Sequence, residues 1–431
     1  MMEKVNSIFI MSLFVVYSLT AQTTREEIFA NTEKSGGVNY AYHFQNTASK
    51  TPAPEGYKPF YISHFGRHGS RYLVSDSEYR HLLEFFHEAD SCKALSELGK
   101  DVYKQLKIIW KEAEGHGGEL TPLGILQQKE IAGRMFRQYP EVFDDNAKIS
   151  AVSTTVGRCI QSMEILCKRL LELNSNLSVM QSADSIHMNY LNYHTEQAIL
   201  FRYSFNTWRE KYNQFEKQHV HSDRIVKTLF SDSNYLHGKN DANALMWELY
   251  NIASSIQNMQ TKTSLYNLFE KEELFDLWQC KNYSLYVQYA NAAENGGIMM
   301  ENAKPLLKNI IESANHFIET KANGASFRFG HDGNIIPLAM LLHLQDCYKS
   351  VSEPSEFYKV WSDFKVAPMA GNIQIVFYKK ESPEDILVKF LLNENEILVP
   401  PVKSMMIPYY YWTDVVEYYN SLLIDSLFIK K

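Results

Sequence analysis

The chain has 431 residues, 45% hydrophobic and 22% charged, with a formal net charge of −7. That balance is ordinary for a globular protein, and with no basic excess it speaks against a nucleic-acid binder. The length is enough to bury a large core and predicts two domains, or one large domain carrying an insertion.

The first element is an apolar run, "IFIMSLFVVYSLTA" at 8–21, behind a short start containing Lys4 and ahead of polar "QTTREE". This is the layout of a secretory signal peptide, and the run is too short for a comfortable membrane span. Residues 1–21 are therefore expected to be removed near Ala21, leaving a periplasmic or secreted protein with no membrane anchor. Residues 22–55 read as a polar lead-in. "PFYISHF" at 59–65 is rich in aromatic and β-branched residues and stops at Gly66, so it predicts a strand. Apolar residues at helical spacing follow over 76–114, then a loop and helix over 117–139, with Thr121 as N-cap and Pro122 at the first helical position. "AKISAVST" at 147–154 predicts a second strand and 157–173 a helix. From about 184 to 295 the chain turns to Tyr, Asn, Gln and charged residues in helical patterns. Strand signals return at "GASFRFGHD" (324–332), ahead of the apolar helix "IIPLAMLLHL". They continue at "IQIVFYKK" (373–380) and in a hairpin over 385–400 turning at Asn393, Glu394 and Asn395. Strand–helix alternation at both ends with a helical middle predicts a three-layer α/β/α core with a central, mostly parallel sheet. The core would span 22–170 and 300–431, and an α-helical cap 171–299.

Five cysteines are an odd number, so at least one thiol is left out of any pairing. Cys159 and Cys167 share a predicted helix, about 12 Å apart along its axis, too far for a disulfide. No Cys-x-x-Cys spacing is present, and none of the histidines has companion ligands at metal-binding spacing, so neither a metal nor another cofactor is expected.

The stretch "YISHFGRHGSRY", 61–72, places Arg67, His68 and Arg71 among glycines directly after a predicted strand. Open α/β sheets bind ligands beyond the carboxyl ends of their strands. Guanidinium groups match phosphate oxygens in pairs, and a neutral imidazole between them is a suitable nucleophile toward phosphorus. "FRFGHDGN" repeats the layout with His331 and Asp332. The histidine would reach the same anion and the carboxyl would serve as a general acid. Asn334 is placed to cap the next helix. Arg158 follows the second strand at a helix start. His64 has the spacing of a residue on the face of His68, either lining the site or packed in the core. His116 reads as a loop residue and His343 as a helix-face residue. The cap cations Arg202, Arg209, Lys211, Lys217, Arg224 and Lys227 suit a polyanionic substrate or simply a solvated helix face.

Taken together these motifs resemble the histidine phosphatases, in the branch of histidine acid phosphatases and phytases. "RHGSRYL" is similar to that family's R-H-G-x-R-x-P, with Leu73 in the place of proline, and "HDGN" to its late H-D pair. "GELTPLG" (118–124) and "VSTTVGRCIQS" (152–162) are similar to two intervening motifs. The resemblance implies an exported, metal-independent acid phosphomonoesterase acting on a small phosphate ester, an inositol phosphate such as phytate or a sugar phosphate. It further implies His68 as nucleophile, Asp332 as acid, and Arg67, Arg71, Arg158 and His331 as phosphate ligands. Asp332 points to the acid phosphatase and phytase side, because multiple-position inositol-polyphosphate phosphatases typically show His-Ala-Glu. The "GRHGSRY" context instead resembles bacterial members acting on inositol phosphates. Three other readings are a multiple-position inositol-polyphosphate phosphatase, an exported phosphate-ester-binding protein without turnover, and a metal-dependent hydrolase.

Overall fold

The computed structural model describes residues 23–42, 50–204, 207–236, 241–380 and 385–424; the apolar N-terminal run lies outside them. Among the described residues eight strands form one sheet: β1 (Lys58–Arg67), β2 (Lys148–Ser153), β3 (Ser178–Ser182), β4 (Gly324–Gly330), β5 (Asn372–Lys379), β6 (Leu387–Leu392), β7 (Asn395–Ile397) and β8 (Tyr410–Tyr411). The order is β3-β2-β4-β1-β5-β6-β7, with β8 beside β6. β3, β2, β4 and β1 run parallel, while β5 to β8 pair antiparallel.

Period-two alternation along the strands builds the two outer layers. Tyr61, Ile373, Ile375, Phe377 and Phe390 pack on one face against helices Lys304–Glu319 and Trp412–Ile424. Ile62, Ile149, Phe327, Val376 and Leu391 face the other way, against helices Pro122–Gln138 and Gly157–Leu173. The α/β/α core expected from sequence is thus present. The hairpin also stands where it was expected: Asn393 and Glu394 take φ of 51° and 60°, the left-handed pair of a two-residue turn between β6 and β7.

Two segments lie differently from the sequence reading. Ser178–Ser182, inside the span given to the cap, forms edge strand β3 of the core sheet, paired with β2. It escaped notice because "SVMQS" is exposed and carries little apolar alternation. Helices Ser77–Ser91 and Glu97–Ala113, inside the span given to the core, pack instead on the cap helices Asp223–Leu229 and Ala242–Ile256, through Leu82, Phe86, Phe230 and Leu249 among others. The helical layer over the sheet is therefore assembled from two stretches of chain. All five cysteines are free, four of them buried. Among the described residues no helix is long and apolar enough to cross a membrane.

Candidate active site

The sheet register brings three strand ends together. Arg67 at the end of β1 stands opposite Gly330 at the end of β4, and Phe329 of β4 stands opposite Ser153 at the end of β2. The chain continues the contact one residue further: His68 N–H donates to the Gly330 carbonyl at 3.1 Å, and Thr154 N–H to the Phe329 carbonyl at 3.0 Å. His68, Thr154 and His331 consequently emerge side by side. Helices Gly157–Leu173 and Asp332–Leu341 start just beyond, aiming their N-terminal dipoles at the same place.

Arg67 is 1% exposed. One guanidinium nitrogen, Nη1, donates to the carbonyls of Val38 and Ala367, and Nη2 donates to Asp332 Oδ2 at 3.2 Å. His68, equally buried, has Nδ1 2.9 Å from the Gly69 carbonyl. A carbonyl only accepts, so Nδ1 carries the proton and Nε2 keeps a free lone pair. Burial first, then the charges of Arg67, Arg71 and Arg158, hold the His68 ring well below its usual pKa of 6.5. Burial, then Arg158, push His331 down to about 4. Its ring lies 5.6 Å from that of His68, with Nε2 3.4 Å from Thr154 Oγ1. For Asp332, burial works to raise the pKa, but Arg67, Arg71 and His331 outweigh it and hold the carboxyl below its usual value.

Four cationic or donor groups and one carboxylate therefore surround the His68 ring. The Nε–H groups of Arg67, Arg71 and Arg158 are all buried without an acceptor. Among the described residues neither Arg71 nor Arg158 has a carboxylate at ion-pair distance, and Arg67 has only Asp332. Buried donors without acceptors are costly, and an anion rich in oxygen would satisfy them. Among the described residues, pairing with surface carboxylates away from the site, the ordinary alternative, is not seen for Arg67, Arg71 or Arg158.

The loop is held in place from behind. Ser70 N–H donates to Gln127 Oε1 at 2.9 Å, Gly69 N–H to Ser162 Oγ at 3.1 Å, and Thr121 N–H to the Ser70 carbonyl at 2.9 Å. Thr121 caps its helix as the sequence predicts, accepting from Gly124 N–H at 3.2 Å. Gly124 then lies so close that a β-carbon there would stand 2.1 Å from the Ser70 carbonyl oxygen. The L-T-x-x-G spacing is thus a clamp on the Arg67–Arg71 loop. Gly124→Ala is expected to cost about 3 kcal/mol through overpacking and to lower activity disproportionately. Thermal melting beside steady-state kinetics checks this.

A model of the histidine phosphatase superfamily (branch 2) matches residues 65–393, well over half of the chain. The chain belongs to that superfamily. No curated protein matches it in sequence. Among solved structures, this histidine phosphatase is similar to the Bifidobacterium longum multiple inositol polyphosphate phosphatase in complex with inositol hexasulfate. The TM-score is 0.74 at 19% identity, covering 88% of this chain and 96% of that one. The phytase from D. castellii gives a TM-score of 0.68 at 16% identity, covering 91% and 86%. The Hafnia alvei phytase in complex with myo-inositol hexakis sulphate gives 0.55 at 12%, covering 86% and 98%. At such identities these likenesses speak for the fold, and the family match makes the protein a phosphatase.

All six residues named from the sequence come together in this histidine phosphatase. His64 does not join them. Its ring sits within the sheet between Phe327 and Phe329, with centroids 5.5 and 5.6 Å away, and burial pushes it down to about 3. The even spacing from His68 fails because the extended chain ends at Arg67. His116 is a loop residue held by Glu119, and His343 lies at a helix end beside Tyr418. Asn334 sits one turn inside its helix and accepts from His331 N–H at 3.1 Å, so His331 is itself the N-cap. Among the described residues no group of three or more His, Cys, Asp or Glu is arranged to hold a metal ion.

Sequence reasoning missed the Val38 and Ala367 carbonyls that hold Arg67, because a backbone acceptor leaves no residue signature. Of the cap cations, Arg224 pairs with Glu273 and Lys211 with Glu294. Arg202 differs. Its guanidinium lies 4.2 Å from the Tyr289 ring centroid and donates to the Tyr289 hydroxyl, and among the described residues it meets no carboxylate. Tyr289 in turn covers Gly333, where a β-carbon would be 2.9 Å from the ring. Tyr289 thus stands between Arg202 and the helix start that carries Asp332.

Proposed function

We propose that this phosphatase hydrolyses a phosphomonoester through a phosphohistidine on His68, without a metal. The observation that carries the reading is the set of three buried, acceptor-free guanidinium Nε–H groups around a histidine whose proton is fixed on Nδ1. Arg67, Arg71, Arg158 and His331 hold the phosphoryl oxygens and offset charge in the transition state. The His68 Nε2 lone pair attacks phosphorus as the ester P–O bond breaks, and Asp332 gives its proton to the departing oxygen. Water then attacks phosphorus as the P–N bond breaks, Asp332 takes a proton from that water, and phosphate leaves with His68 regenerated.

The proton on Asp332 needs a source, since Arg67, Arg71 and His331 hold this carboxyl below its usual value. A bound phosphate ester neutralises Arg67 and Arg71 and sets a like charge near the carboxylate, which raises its affinity for a proton. Acidic solution favours that state. His68 does not oppose it: its pKa lies well below 6.5, so the ring stays neutral as pH falls through that value. The pH profile of kcat/KM is expected to show no loss near pH 6.5; a protonation of the nucleophile there would show as a falling acid limb.

We read the substrate as an inositol phosphate. Two solved relatives of the same fold hold inositol hexasulfate or hexakis sulphate, and Arg202, a cap cation that meets no carboxylate among the described residues, offers a second anion a place on the far side of Tyr289 from Gly333. The apolar run at 8–21 supports export, and the reading needs no nucleic-acid or membrane partner. Phosphate release from phytate and from glucose 1-phosphate, with a chelator present, tests substrate and metal independence together. Arg202→Ala is expected to raise KM for phytate about tenfold while changing KM for the monophosphate little. Equal KM changes would show that Arg202 reads no second phosphate. Loss of all release in the chelator would favour the metal-dependent alternative.

A further inference from the structure

Arg67 needs explanation beyond its role toward phosphate. It is the most buried of the three arginines, and its hold on the site depends on two backbone carbonyls that come from distant parts of the chain, Val38 and Ala367. Both residues are tied through their own N–H groups to one residue. Asp363 Oδ2 accepts from Val38 N–H at 2.9 Å, and the Asp363 backbone carbonyl accepts from Ala367 N–H at 2.8 Å. Asp363 is 1% exposed and is fixed in turn: Oδ1 accepts from Trp278 Nε1 at 2.9 Å and from Phe364 N–H at 2.8 Å, and its own N–H donates to Asn282 Oδ1 at 2.9 Å. Trp278 and Asn282 belong to the cap helix Lys271–Tyr289. Gly37 makes the approach feasible. Its φ is 58°, and a β-carbon there would stand 2.3 Å from Asp363 Oδ2.

We propose that Asp363 is a positioning residue for Arg67: its carboxylate and its own backbone carbonyl fix the two carbonyl groups that aim the guanidinium at the bound phosphoryl group. This rests on the phosphate-site reading given above. A buried charged donor keeps its aim only while its acceptors stay put, and two of the three acceptors of Arg67 are these carbonyls; small displacements of such a group are costly to catalysis. The same carboxylate ties the cap helix to the phosphate cradle through Trp278, so the geometry of Arg67 depends on the cap as well as on the sheet.

The test compares two variants that cut different bonds of the same carboxylate. In Asp363→Asn, the remaining carbonyl oxygen is retained by two donors, Trp278 and Phe364. The amide then faces Val38 N–H, donor against donor. In Trp278→Phe the Val38 bond is kept and only the indole bond is lost. Full-length protein is titrated with inorganic phosphate by calorimetry, kcat is measured with an aryl phosphate, and thermal melting is recorded for each. Asp363→Asn is expected to weaken phosphate binding and to lower kcat, each about tenfold or more. Trp278→Phe is expected to lose as much melting temperature, yet stay within about threefold on both. Asp363→Asn remaining within that range, or Trp278→Phe falling as far, overturns the proposal. If Asp363→Asn does not fold, Gly37→Ala, which displaces Oδ2 from the other side, must give the same losses, and unchanged binding there overturns it. If wild type binds phosphate but releases none from any ester, the hydrolase reading fails, while the binding comparison still decides the role of Asp363.

Discussion

Replacing His68 by alanine is expected to lower kcat by about 10⁴-fold or more, with little change in melting temperature. The size follows from the division of labour. On the proposed mechanism the arginines bind and polarise, so the loss of one is expected to leave the others holding the phosphoryl group. The attacking lone pair has no substitute, since the other imidazole, His331, has its ring centroid 5.6 Å away. The fold is expected to tolerate the change because the loop is also held at Ser70, Gly69 and Thr121 by backbone and neighbouring side chains, the imidazole adding its one bond to the Gly69 carbonyl. Steady-state release from a generic aryl phosphate beside a melting curve checks both halves. Activity within about tenfold of wild type would remove His68 from the chemistry.

Asp332→Asn gives the second large effect, and it depends on the leaving group. An alkoxide leaving an inositol or sugar needs a proton, so the first turnover on such an ester is expected to slow by about 10²–10⁴-fold. A phenolate with an acidic parent phenol leaves unaided. Its first turnover is expected to stay fast and to appear as a burst of phenol, followed by slow hydrolysis of the phosphohistidine, which also needs the carboxylate. Rapid mixing separates the two phases. Equal slowing of the first turnover on both esters would mean that Asp332 acts by holding Arg67 at 3.2 Å and not as an acid.

The site was legible in the sequence to an unusual depth because its parts are short and lie at strand ends. Arg67, His68 and Arg71 directly follow β1, His331 and Asp332 directly follow β4, and Arg158 opens the helix after β2. A parallel register of the three strands is then enough to assemble them. Thr121 and Pro122 announced a helix start, but the reason for Gly124 emerges only when Ser70 lies against it. The strand β3 and the cap membership of 77–113 were not legible. The first is an exposed edge segment with weak alternation, and the second depends on long-range packing of helices whose apolar stripes do not say which partner they meet. The lead-in at 22–55 read as polar and unremarkable, yet Val38 supplies one of the two carbonyls that hold Arg67. Whether a chain segment serves the site through its backbone cannot be read from side-chain type.

The most direct measurement is a rapid quench of wild-type protein with an inositol phosphate at acidic pH, followed by alkaline digestion and mass spectrometry, since phosphohistidine survives in base. The account predicts a phosphoryl group on the peptide carrying His68, formed before phosphate appears and absent in His68→Ala. Hydrolysis with no phosphoryl-enzyme, or a phosphoryl group placed on any other residue, would contradict it.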